Sequence, residues 1–116
     1  MNSSDCLFCK ILAGDVPAEL VYESNEAIAF RDINPQAPSH VLIIPRQHIE
    51  TINDLGPGDA ALVGNLFLVA QQLAKEEGIA ENGYRVVMNC NADAGQTVFH
   101  LHLHMLGGRR LDWPPG

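Results

Sequence analysis

Apolar residues recur along the chain with different periods, and each period predicts a different element. Two short stretches, Leu20 to Glu23 and Ala27 to Arg31, flank the polar triplet Ser24-Asn25-Glu26, the pattern of two strands joined by a tight turn. Val41-Leu42-Ile43-Ile44 is an unbroken apolar run closed by Pro45, as expected of a strand buried on both faces. After Gly56-Pro57-Gly58-Asp59 the period changes. Leu62, Leu66, Val69 and Leu73 recur at helical spacing until Gly78, predicting one long helix. Tyr84 to Met88 and Val98 to Leu106 read as two further strands, with a glycine turn around Gly95 between them. A short helix over Cys6 to Ala13, capped by Ser3, Ser4 or Asp5 and stopped by Gly14, puts Cys6 and Cys9 on one face.

These elements predict an α+β fold: a mainly antiparallel five-stranded sheet with one long helix and a short amino-terminal helix. With no repeat or linker inside the chain, residues 1–116 read as one unit. The segment 1–14 carries the short helix, and 107–116 is an irregular tail whose Trp113 anchors on a partner subunit. Composition changes this picture in three ways. At 47% apolar and 18% charged residues the chain buries a real core, which excludes a disordered tail. Seven basic against 14 acidic residues give a formal charge of -7, which argues against a nucleic acid backbone or an anionic membrane as partner. A small phosphate ligand stays compatible. No apolar run is long enough to span a bilayer, and the first residues lack the layout of a secretory signal, so the expected location is cytoplasmic. The odd count of three cysteines then favours metal binding or packing over disulfides.

The candidate chemistry concentrates in His100-Leu101-His102-Leu103-His104-Met105-Leu106. On an extended chain alternate side chains face opposite sides, so three imidazoles share one face while Leu101, Leu103 and Met105 enter the core. Three of the five histidines in strict alternation support two chemistries. They can chelate a metal as a hydrolytic or structural centre. Alternatively, one neutral imidazole attacks phosphorus while protonated neighbours hold the phosphate oxygens. The preceding Asp93-Ala94-Gly95-Gln96-Thr97-Val98 offers backbone N–H groups and a hydroxyl to an anion, which favours phosphate chemistry.

The pattern at residues 100–106 resembles the signature of the histidine triad superfamily. The resemblance continues through Phe8, Phe30 to Pro38, Ile44 to Ile49, Gly83-Tyr84-Arg85, Gly95-Gln96-Thr97, Gly107-Gly108-Arg109 and Trp113-Pro114-Pro115-Gly116. The two carboxy-terminal motifs look like the nucleotide-binding, phosphoramidase-type branch. That likeness implies a homodimeric hydrolase, with the sheet extended across the dimer, that cleaves purine nucleoside 5'-phosphoramidates through a nucleotidylated histidine. By the same match His102 is the nucleophile and the backbone at His100 orients its ring. His104 holds phosphate oxygens, and Thr97, where such members usually carry Ser, sits near the leaving group. Asn89 and the backbone of Gly95, Gln96, Thr97 and Val98 complete the phosphate cradle, while Phe8, Phe30, Asp32, Ile33 and Asn34 meet the nucleoside.

Cys6 and Cys9 alone are half a metal site. Some bacterial-type members of the superfamily bind zinc with such a pair plus two histidines, which here are His48 and His100. A closed site of this kind is structural and leaves His102 free for chemistry. The bland alternative makes both cysteines small buried hydrophobes. Cys90 reads as a strand-end residue, and His40, which opens a buried strand, as a hydrogen-bonded structural histidine. Two other functional classes stay open: a nucleotide-binding interaction module with incidental catalysis, and a metallohydrolase using the triad as ligands. Loss of turnover on replacing His102 counts against the module, and turnover that survives a chelator counts against the metallohydrolase.

Overall fold

The computed structural model describes residues 5–116. In chain order the elements are α1 (Leu7–Leu12), β1 (Leu20–Glu23), β2 (Ala27–Arg31), β3 (Ser39–Pro45), α2 (Ala60–Glu76), β4 (Tyr84–Val87) and β5 (Leu103–Gly107), with 3-10 turns at Ile52–Asp54, Pro57–Asp59 and Ala92–Ala94. The five strands form one antiparallel sheet in the order β1-β2-β3-β5-β4. The β1–β2 turn closes because Ser24 Oγ accepts the amides of Glu26 and Ala27 at 3.2 and 3.1 Å. No helix among the described residues is long and apolar enough to cross a membrane.

Every residue of the central strand β3 is buried, and its alternation explains why both helices are needed. Val41 and Ile43 join Leu103 and Met105 beneath α2, against Leu66, Val69 and Leu73. Leu42 and Ile44 face the other way and join Ile28, Phe30, Cys6 and Phe8 beneath α1. Leu66 and Leu73 are each 1% exposed, and truncating either to Ala costs about 2–5 kcal/mol at such sites. Past the end of α2, the Glu77 carboxylate takes both Nη1 and Nη2 of Arg31 on β2, at 2.7 and 3.0 Å, and the Ser39 hydroxyl at 3.0 Å. This clamp fixes the helix over β2 and β3. Gly78, at φ +74°, then ends the helical path in a conformation side chains rarely adopt.

Two expectations change. The helix expected over Cys6 to Ala13 is Leu7–Leu12, with Cys6 itself as cap: its Sγ accepts the Cys9 amide at 3.3 Å. Of the expected caps, Asp5 lies outside the helix, and Ser3 and Ser4 lie outside the described residues. The strand expected over Val98 to Leu106 is paired only from Leu103. Its first half leaves the ladder: the chain bends at Val98 and His100, and the Leu101 amide donates to the Ile49 carbonyl at 2.7 Å instead of to β3. Alternation survives: Leu101, Leu103 and Met105 are at most 1% exposed.

Candidate active site

The α1 face of the sheet carries a cleft of about 400 Å³, a size suited to a small-molecule ligand. Leu42 faces His104 across the β3–β5 register. From above, α1 lowers Phe8 edge-on to Phe30, with ring centroids 5.4 Å apart, and to His102 at 5.1 Å. Phe8, Phe30, Asp32, Ile33, Asn89, Gly95, Thr97, Val98, His102 and His104 all line the cleft, whereas Asn34 and Gln96 do not. Asn34 is exposed, with its amide held by Asp32 Oδ1 at 2.8 Å. Gln96 turns inward and staples its loop: Oε1 accepts the Asn91 amide, and Nε2 donates to the Glu50 and Val98 carbonyls. Sequence reasoning missed the apolar wall of Leu7, Ile11, Val16, Pro17 and Ala18. The available signal was Leu7 and Ile11, four apart on a short helix, with Leu7 45% exposed.

Hydrogen bonds fix the form of the histidines. His102 Nδ1 lies 2.7 Å from the His100 carbonyl. A carbonyl only accepts, so the neutral ring carries its proton on Nδ1 and keeps the Nε2 lone pair bare. That nitrogen takes no partner among the described residues, yet it is not sealed from the cleft. Burial lowers the His102 pKa against the opposing pull of the His100 carbonyl and Asp32. Burial, with His102 and His40 adding repulsion, pushes His104 down to about 4. In the ligand-free protein burial thus favours the neutral form of both cleft imidazoles, and a neutral His104 offers an N–H.

The loop before β5 is more self-contained than its sequence suggests. Gly95, at φ +84°, closes the 3-10 turn through its amide on the Ala92 carbonyl at 2.9 Å, and the Gln96 amide returns to Asn91 at 3.1 Å. The amides of Thr97 and Val98 take no partner among the described residues. Thr97 and Val98, the second half of this loop, line the cleft.

On the inner side of the triad, Cys6, Cys9, His48 and His100 bring one ligand atom each to within 4.8 Å of one another. Cys9 Sγ and His100 Nδ1 each lie 3.2 Å from His48 Nδ1, and His100 Nδ1 lies 3.4 Å from Cys6 Sγ and 3.5 Å from Cys9 Sγ. A tetrahedral centre with metal–nitrogen bonds of about 2.0–2.1 Å and metal–sulfur bonds of about 2.3 Å requires N···N edges of about 3.3 Å and N···S edges of about 3.6 Å. The four groups fit. The tautomer fits as well: His100 Nε2 lies 2.8 Å from the Pro45 carbonyl and donates to it, leaving Nδ1 bare for a metal. Burial pushes His100 down to about 4 and the Cys9 thiol, with Cys6 adding to it, up to about 11. His100 thus serves both sites, its ring facing the metal group and its carbonyl holding His102.

Known proteins resemble this chain over nearly its full length. A HIT domain model matches residues 13–111. The purine nucleoside phosphoramidase of Escherichia coli K12 is 46% identical over 109 residues, 94% of this chain and 92% of that protein. An uncharacterized HIT-like protein of Synechocystis is 48% identical over 114 residues, 98% of this chain and 99% of its own. Among solved structures, a HIT family hydrolase from Legionella pneumophila superposes with a TM-score of 0.95 at 54% identity, covering 97% of this chain and 100% of that one. A histidine triad protein from Clostridium difficile superposes with a TM-score of 0.92 at 41% identity, covering 97% of each chain. With a family match over residues 13–111 and relatives of this identity along nearly its whole length, the chain belongs to the HIT domain family.

Proposed function

We propose that this chain hydrolyses purine nucleoside 5'-phosphoramidates through a covalent nucleotidyl intermediate on His102. The observation that carries the reading is the His102 ring itself: Nδ1–H is tied to the His100 carbonyl at 2.7 Å, so the Nε2 lone pair is free toward the cleft. Hydrolase chemistry is supported by the Legionella HIT family hydrolase, and the phosphorus–nitrogen bond by the Escherichia coli phosphoramidase. In the proposed reaction Nε2 attacks the α-phosphorus and the P–N bond breaks. The amine leaves with a proton supplied by solvent water, which the later attack of water on phosphorus returns, and exposed Thr97 lines the cleft beside it. Water then attacks the nucleotidyl-histidine, releasing the nucleoside monophosphate and restoring the neutral ring. His104 and the Thr97 and Val98 amides face the phosphate oxygens. Phe8 and Phe30 stack on the base, with Asp32 near the ribose.

The reading includes zinc in the Cys6, Cys9, His48 and His100 group. Four protein ligands close the coordination sphere, so bound zinc supplies structure, tying α1 and Phe8 to the sheet. It also includes a homodimer formed through the β4 edge and the tail, supported by β4 lying at the edge of the sheet and by Trp113 in the tail, 83% exposed. The test is hydrolysis of adenosine 5'-phosphoramidate by the purified protein and by His102→Ala, each with and without chelator. Wild-type turnover that persists with chelator and vanishes in the variant supports the reading. No turnover from folded wild-type protein, or undiminished turnover in His102→Ala, refutes it.

A further inference from the structure

His40 belongs to neither the cleft wall around Phe8 nor the metal group, yet it is 6% exposed and fully engaged. The sheet register explains its position. Leu42 pairs with His104, and His40 lies two residues back along β3 on the same face, which makes His40 and His104 diagonal neighbours. Their ring centroids are 5.2 Å apart, and His40 Nε2 is 3.0 Å from His104 Nδ1.

The direction of the proton between them follows from the other end of His40. The Gln36 amide donates to His40 Nδ1 at 3.0 Å, so that nitrogen is bare and a neutral ring holds its proton on Nε2. Asp32 Oδ2, 3.4 Å from Nε2, favours the same placement. His40 Nε2–H therefore donates to His104 Nδ1, and His104 must carry its own proton on Nε2. His104 Nε2 has no partner among the described residues and is not sealed off from solvent. A second metal site is disfavoured by the same hydrogen bond from the Gln36 amide. Asp32, His40 and His104 could collect around an ion, but an ion on His40 Nε2 would move the ring proton to Nδ1, against the Gln36 amide.

We propose that His40 is a positioning residue: through the chain from the Gln36 amide to His40 to His104 it locks His104 in the Nε2–H form, so that the cleft presents a hydrogen-bond donor to a phosphate oxygen. The inference rests on the phosphoramidase reading for what His104 contacts, while the tautomer itself is a property of the free protein. Without His40, a neutral His104 divides between two tautomers, and one of them turns a bare nitrogen toward a negatively charged oxygen. Donors aimed at developing phosphate charge act in the transition state, so the loss belongs in kcat more than in KM.

The test combines spectroscopy and kinetics. In protein labelled with 15N-histidine, long-range 1H–15N correlation at neutral pH assigns the proton on each ring. The expected result is Nε2–H for both His40 and His104; a predominant Nδ1–H form of His104 overturns the proposal. His40→Leu removes the donor, and His40→Gln restores an amide N–H near the place of Nε2. For adenosine 5'-phosphoramidate, His40→Leu is expected to lose about ten- to a hundred-fold in kcat with KM changed less than about three-fold, and His40→Gln to recover most of it. A folded His40→Leu with wild-type kcat, or His40→Gln as impaired as His40→Leu, overturns it. Circular dichroism checks that the variants fold, and the wild-type spectrum decides the tautomer whatever the variants do. Absence of wild-type turnover sinks the functional reading alone, because the spectrum still decides the His104 proton.

Discussion

Removing the metal from the Cys6, Cys9, His48 and His100 group should loosen the protein without unfolding it. In the apo site, burial keeps the Cys9 thiol protonated up to about 11 and His100 neutral down to about 4, so neither of these two groups is left as a buried charge. The two aliphatic and aromatic layers around β3 remain intact. The loss is then set by linkage. A metal present at 100 times its Kd stabilises the folded state by about 2.7 kcal/mol. At about 2.1 cal/mol/K per residue, 116 residues give an unfolding entropy of about 0.24 kcal/mol/K, so the melting temperature should fall by about 11 °C. The assay is differential scanning fluorimetry of metal-loaded and chelator-treated protein, with mass-spectrometric metal analysis, repeated on Cys9→Ser. Binding must expel thiol protons, so affinity should fall as pH falls. Protein that takes up no stoichiometric metal from zinc-supplemented medium and melts identically with and without chelator would refute the reasoning. So would Cys9→Ser that retains wild-type metal affinity.

Two further predictions concern the frame that holds the cleft. The Arg31 guanidinium holds the Glu77 carboxyl below its ordinary range, so the clamp stabilises above the unfolded carboxylate pKa and is lost as pH falls through the lowered folded value. Glu77→Gln should cost about 1 kcal/mol near pH 7 in urea unfolding, since Arg31 is partly exposed, and nothing once the wild-type carboxyl is protonated; an equal cost at both pH values contradicts this origin. At Gly107 an added Cβ would lie 2.6 Å from Ile79 Cδ1 and 3.1 Å from its Cβ, so Gly107→Ala should cost about 1–3 kcal/mol. Combined with Ile79→Ala it should cost less than the two single changes added together; strict additivity would show that the crowding is not with Ile79.

How far the chain could be read in advance depended on whether the deciding contact was local. The β1 and β2 boundaries matched because Ser24 closes their turn within four residues. The α2 boundaries followed from its apolar stripe and Gly78. Strand β5 was overextended because alternation reports only which side each residue faces, whereas the chain before Leu103 bends at Val98 and His100 and spends the Leu101 amide on the distant Ile49 carbonyl. The metal group was half visible as Cys6 and Cys9. His48 and His100 came from family likeness, since no local pattern links positions 39 and 91 residues from Cys9. His40 was read as structural because its partner, His104, is 64 residues away and meets it only through the sheet register. Gln96 was expected to lend its backbone to the phosphate cradle, and its amide returns to the Asn91 carbonyl while its side chain bonds the loop backbone, contacts that a sequence pattern does not show.

The account turns on whether His102 becomes covalently nucleotidylated during turnover. Rapid acid-free quenching of the protein with adenosine 5'-phosphoramidate, followed by peptide mass spectrometry, measures this directly. The predicted result is one nucleotidyl adduct on the peptide at His102, appearing before the nucleoside monophosphate accumulates and absent in His102→Ala. Steady turnover with no adduct at any time, together with an adduct-free His102→Ala that turns over at the wild-type rate, would contradict it.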